Sequence, residues 1–221
     1  SRVDIDDLEK ATQGVNEKPL EEYKRFGSNA YSPGKSKGFR IPNDPPDITG
    51  GYLMELDYKM RYKEGLSGFA TKRGQAVVLK APEYASQAQV AYISAFMQGF
   101  EDAIFAKDGI DPKSGKHFSA FVDMDSLVKK YLLEEIVKNY DGNRSSLYFY
   151  KPADSQSPLA FAGPAWDYDS AMGNYGSQRN QKITMPQHFV VATDGGERFY
   201  WFPALCKQPD FMARAVKTYW D

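Results

Sequence analysis

Apolar residues recur at Val90, Ile93, Met97, Phe100 and Ile104, a three-to-four spacing that lines one face of a helix. Ser86 stands just before this stripe as an N-cap residue, so the pattern predicts a helix over Gln87–Phe105. Leu127, Tyr131, Leu132 and Ile136 form a second stripe, which predicts a helix over 126–138 capped by Asp123 or Asp125. Lys129, Lys130, Glu134 and Glu135 are expected on its wet side. Strands are expected at 52–58, 69–71 and 75–80, the last built on Val77-Val78-Leu79 and ended by Pro82. A hairpin is expected from Leu147–Lys151 and 159–162, and a short strand at 189–192. Trp201–Leu205 and 211–220 read as helical, and 173–186 as a polar loop. Residues 3–6 suit a strand end, and 7–13 a short helix or turn. From 14 to 49, Gly, Pro, Asn and Lys dominate, and Pro42, Pro45 and Pro46 oppose regular structure. The pattern thus divides the chain into an irregular segment (1–50), a strand region (51–82) and a mainly helical region containing the hairpin (83–221), in an α+β fold.

Composition sharpens this. The chain has 221 residues, 42% of them hydrophobic, with 15 Tyr and 14 Phe, enough for a core filled largely by aromatic rings. A net charge of −1 gives no electrostatic case for nucleic acid or an anionic membrane as the main partner. No apolar run is long enough to span a bilayer. Cys206 is the only cysteine, so no internal disulfide forms. It sits among Trp201, Phe202 and Leu205 and is expected to be buried. His117 and His188 are too few and too isolated for a structural zinc site and read as loop residues.

The candidate chemistry lies between Asn139 and Gly173. Asn139-Tyr140-Asp141-Gly142-Asn143-Arg144-Ser145-Ser146 precedes the hairpin, and Trp166-Asp167-Tyr168-Asp169-Ser170-Ala171-Met172-Gly173 follows it. A hairpin folds its ends together and should bring Asp141 near Asp167 and Asp169. Carboxylates so placed can hold a divalent cation and orient a hydroxyl, the arrangement that phosphoryl transfer to an alcohol requires. Arg144 is placed to pair with Asp141 or Asp169, or to be solvated. Trp166 is expected to pack inward and fix its loop.

The Trp-Asp-Tyr-Asp-x-x-x-Gly block and the Asn-x-Asp loop ending in Ser-Ser-x-Tyr-x-Tyr-Lys resemble the CotH kinases, the spore coat protein H group and its dockerin-linked secreted relatives. Val77-Val78-Leu79-Lys80-Ala81-Pro82-Glu83 and Arg2-Val3-Asp4-Ile5-Asp6-Asp7-Leu8-Glu9 are similar as well. The resemblance spans nearly the whole chain. It implies a protein-kinase-like fold, mainly the large lobe, with a small antiparallel sheet. It implies ATP with Mg²⁺ or Mn²⁺, transfer to Ser or Thr of a secreted, spore-coat or cell-surface protein rich in those residues, cell-wall or cellulosome components as further partners, and an extracellular or spore-surface location. Asp141 takes the catalytic role, Asp167 the metal role with Asp169 beside it, and Asn143, Ser146 and Asp167 approach the cofactor. Ser146 stands where kinases carry a metal-binding amide. The phosphate-clamping small lobe is expected before Ser1, the chain being a processed or trimmed piece. Two other classes compete: a non-catalytic coat or adhesion module, and a glycosidase using Asp141 and Asp167 as paired carboxylates.

Overall fold

A computed structural model describes residues 7–142, 144–174, 187–192 and 200–221. Seven strands form one sheet in the order β1-β2-β4-β5-β3-β6-β7. They are β1 (Arg25–Phe26), β2 (Ser36–Phe39), β3 (Tyr52–Asp57), β4 (Ser67–Ala70), β5 (Ala76–Ala81), β6 (Leu147–Lys151) and β7 (Phe161–Ala162), and every pairing between them is antiparallel. The described helices are α1 (Asp7–Thr12), α2 (Gln87–Phe105), α3 (Met124–Ile136), α4 (Trp201–Leu205) and α5 (Pro209–Trp220). Among the described residues no helix is long and apolar enough to cross a membrane.

The central strand β3 shows why the sheet has two different faces. Tyr52, Met54 and Leu56 are buried, while Leu53, Glu55 and Asp57 are only half-buried, the period of two that a pleat imposes. The buried set joins Phe69, Val77, Leu79, Leu147 and Phe149 against the stripe of α2 and against Leu127, Val128 and Tyr131 of α3. Trp201 seals this core edge-on to Phe100 and Phe149, with ring centroids 5.2 and 5.4 Å away. Ser86 caps α2 through a reciprocal capping box with Gln89, and Asp123 caps α3 by accepting from the Ser126 N–H at 2.7 Å. Cys206 is half-buried against this core, where burial pushes its thiol up to about 12.

Three sequence expectations need correction. The sheet is not small, and residues 1–50 are not wholly irregular, because β1 and β2 extend the sheet through β4. The signal was hidden by Lys37, which is buried in β2. Its ammonium donates to the carbonyls of Tyr62 (2.6 Å) and Gly65 (2.5 Å) and lies 4.5 Å from the Tyr62 ring centroid, while burial lowers its pKa to about 8. Second, Lys130, Glu134 and Glu135 are buried, although Lys129 does face water. Third, 189–192 is not a strand. The N–H groups of Val190, Val191 and Ala192 bind the Glu135 carboxylate at 2.7–2.9 Å rather than a neighbouring chain. Residues 3–6 and most of the 173–186 loop lie outside the described residues.

Candidate functional site

Strand register builds the site. Pairing of Leu56 with Leu147 sets Asp57 and Tyr58 beside Ser145 and Ser146. Pairing of Phe149 with Ala162, continued by the Gly163 N–H to Tyr148 O bond at 2.8 Å, returns the chain to the start of β6. The exits of β3 and β7 and the entry to β6 therefore meet at one end of the sheet. There the Ser146 hydroxyl donates to Asp167 Oδ2 at 2.9 Å, and the Tyr58 hydroxyl donates to Asp141 Oδ1 at 3.2 Å. The two loops are also stitched through their backbones, Tyr140 N–H to Ser170 O at 3.3 Å and Met172 N–H to Val137 O at 2.6 Å.

Backbone strain concentrates in the same place. Among the described residues the non-glycine positions with positive φ are Lys138 (54°), Ser146 (56°), Asp167 (60°) and Met172 (52°). One pair brackets the Asp141 loop and the other brackets the Asp167 loop. L-residues adopt this conformation at a cost, and such residues cluster where surrounding structure holds a functional loop. The positive φ at Asp167 also breaks the extended alternation that would place Asp167 and Asp169 on one face. Both carboxylates are exposed; Asp167 accepts from Ser146, and Asp169 lines a depression of about 440 Å³ with Leu133 and Val137.

Helix α3 supports both loops from beneath. Glu134, fully buried, pairs with Lys130 at 2.6 Å. Its Oε1 accepts from Tyr168 at 2.7 Å and its Oε2 accepts from the Asn139 amide at 2.7 Å. Lys130 also donates to Tyr168 at 2.9 Å. Gly142 lies directly on this carboxylate, where an added Cβ would come within 2.5 Å of Glu134 Oε2. One buried carboxylate thus ties down the loop before the hairpin and the loop after it. Sequence reasoning missed both Glu134 and Tyr58. The i, i+4 Lys130–Glu134 spacing was visible, but it suits an exposed pair equally well, and nothing in the sequence aligned Tyr58 with Asp141.

The half-buried polar face of the sheet extends the site. The Tyr58 phenol is pushed up to about 12, first by burial and then by the Asp141 charge. Asp57 is raised to about 6, chiefly by burial and further by Glu55 and Glu64. Tyr148 is raised by burial and by its hydrogen bond to Glu55, with Asp57 and Asp167 adding to the effect. Glu55 pairs with Lys80 at 3.3 Å. Trp166 is 60% exposed, against expectation. Its neighbour Tyr168 takes the inward position on Glu134, leaving Trp166 edge-on to Tyr148 with centroids 6.3 Å apart. Arg144 donates to the Tyr140 hydroxyl at 2.6 Å and sits 4.2 Å from that ring's centroid. Asn143 lies outside the described residues. His117 sits 3.4 Å from Asp210, and the His188 carbonyl accepts from Lys138 at 2.5 Å.

No group of three His, Cys, Asp or Glu side chains able to hold a metal occurs among the described residues. What converges, the Asp167 carboxylate and the Ser146 hydroxyl, is a set of hard oxygen donors. Such donors suit Mg²⁺ or Mn²⁺, which are commonly held by one or two carboxylates with phosphate and water completing the shell.

No curated protein and no solved structure matches the chain. A family model described as CotH kinase protein matches residues 34–220, which include both loops, the hairpin and helices α2 to α5. The chain therefore belongs to the CotH kinase family.

Proposed function

We propose that this chain is the catalytic part of an atypical protein kinase that transfers the γ-phosphoryl group of ATP to Ser or Thr of a secreted, spore-coat or cell-surface protein. In this reading it corresponds mainly to a kinase large lobe. The observation that supports it most is the meeting of two strained acidic loops at one end of β3 and β6, joined by the Ser146–Asp167 hydrogen bond. Asp141, steadied by Tyr58, orients the acceptor hydroxyl and takes its proton as the new oxygen–phosphorus bond forms and the bond to the ADP leaving group breaks. Asp167 would hold Mg²⁺ or Mn²⁺, with Ser146 fixing its carboxylate. When bound, the cation neutralises charge on the transferring group. Lys80, held by Glu55 on the same sheet face, is available to the nucleotide phosphates. Asp169, two residues further on and exposed, is the second carboxylate available to the same cation.

The test is incorporation of labelled phosphate from γ-labelled ATP into the chain itself or a Ser-rich protein. Incorporation that Asp141→Ala abolishes supports the reading; equal labelling with Asp141→Ala rejects it. The second reading, a non-catalytic coat or adhesion module contacting cell-wall or cellulosome components, is favoured by one observation. Ser146 occupies the position of a metal-binding amide, and its hydroxyl is engaged by Asp167.

A further inference from the structure

Toward the β1 edge of the sheet, a groove of about 490 Å³ runs between the start of β2 and the end of β4 on one side, the middle of α2 on another, and the 111–116 loop on a third. Its floor is apolar. Phe69 and Ala70 come from β4, and Phe121 lies against Gly99, where an added Cβ would come within 2.6 Å of the ring. Its rim is basic, with Lys35 and Lys72 on one wall and Lys113 and Lys116 on the facing loop. Two carboxylates reach the groove, and both are committed internally. Asp102 accepts from Gln98 at 2.9 Å and pairs with Lys72 at 3.5 Å. Asp111 accepts from the N–H groups of Lys113 (3.1 Å) and Ser114 (3.0 Å) and from the Ser114 hydroxyl at 2.5 Å. Those bonds, with Asp111 N–H to Lys116 O at 2.8 Å, set the loop that presents Lys113 and Lys116. Lys35, Lys113 and Lys116 form no ion pair among the described residues.

We propose that this groove docks an acidic peptide segment of a partner protein, with an apolar side chain on the Phe69–Phe121 floor and carboxylates against the lysine rim. The chemistry favours a peptide over a compact phosphate. Lysines at a rim act as separated point charges and suit charge spread along an extended chain. Only the middle of α2 lines the groove, so no helix N-terminus supplies the converging N–H donors that favour a phosphate. The proposal is independent of the phosphoryl-transfer site, which lies at the β3–β6–β7 end.

A fluorescein-labelled peptide of Glu and Asp around a single Phe is titrated with the chain, reading anisotropy at 25 and 150 mM salt. The expected result is saturable binding that weakens at higher salt and falls at least tenfold in the K113E/K116E variant, but not in K207E/K217E, which reverses two exposed lysines elsewhere. Circular dichroism checks that each variant is folded. Absence of saturable binding overturns the proposal, as does equal loss in both variants. Tighter binding of inorganic tripolyphosphate through Lys113 and Lys116 overturns the assignment to a peptide.

Discussion

Helices α2 and α3 lie on the same sheet face and are held there by opposite means. Along α2, Val90, Ile93, Met97, Phe100 and Ile104 are buried. Its one fully buried carboxylate, Glu101, accepts from the Trp201 indole at 3.1 Å and the Arg73 N–H at 3.3 Å. Along α3, the buried set includes Lys130, Glu134 and Glu135 beside Leu127, Val128 and Tyr131. Apolar burial is non-directional and gives α2 a stable seat. Buried ions are directional and costly unless fully paired, so they contribute little net stability but fix geometry closely. The helix that carries the candidate site is the one that gives up stability for position. Glu134 holds the loops on both sides of the hairpin, and Glu135 holds 190–192.

The largest expected effect comes from removing that position-giving charge. Glu134→Ala strands the Lys130 ammonium in the interior and should cost about 3–5 kcal/mol in urea unfolding. Glu134→Gln keeps a partner for Tyr168 and is expected to cost less while still weakening nucleotide binding. If Glu134→Ala costs under about 1 kcal/mol, the pair is not buried as described. On α2, Met97→Ala should cost about 2–4 kcal/mol through the cavity it leaves. It should leave ligand binding at the loops unchanged at a temperature where the variant is folded; a parallel loss of binding would erase the distinction between the helices. Ser86→Ala should cost about 1 kcal/mol through the α2 cap, and Asp123→Ala about the same on α3 by scanning calorimetry.

The smallest effect is a pH dependence at the end of β3. Asp57 has its folded pKa raised to about 6 from an ordinary 3.8, so the folded state holds its proton more tightly than the unfolded state does. Its contribution is favourable below about pH 4 and is lost as pH rises through about 6. Asp57→Asn should therefore raise Tm relative to the parent more at pH 7.5 than at pH 4. An equal difference at both pH values would show that the carboxyl is not perturbed.

The same contrast explains what could be read from the chain. Helix α2 was legible to the residue, Gln87–Phe105 with its Ser86 cap, because apolar periodicity both signals a helix and supplies its packing. The existence of α3 was equally plain, but its buried face was not. Lys130 and Glu134 look like a solvated i, i+4 pair until tertiary structure places Tyr168 and Asn139 against them. Strand β2 was missed for a related reason, since its Lys37 reads as polar until two carbonyls are found to receive it. At the site, the hairpin logic placed Asp141 near Asp167 and Asp169; the bond that links the two loops there is instead that of Ser146 to Asp167. That logic did not reveal the positive φ at Asp167, nor that Trp166 would face outward.

In the proposed site Asp167 would hold a cation for the nucleotide, with Asp141 serving the acceptor. The direct measurement is the thermal shift of the chain with ATP, with and without Mg²⁺, set against Asp167→Asn. A ligand bound by the native state raises Tm as its concentration exceeds Kd. The expected result is a rise that requires both ATP and Mg²⁺ and vanishes in Asp167→Asn. The same Mg²⁺-dependent rise in Asp167→Asn would contradict it.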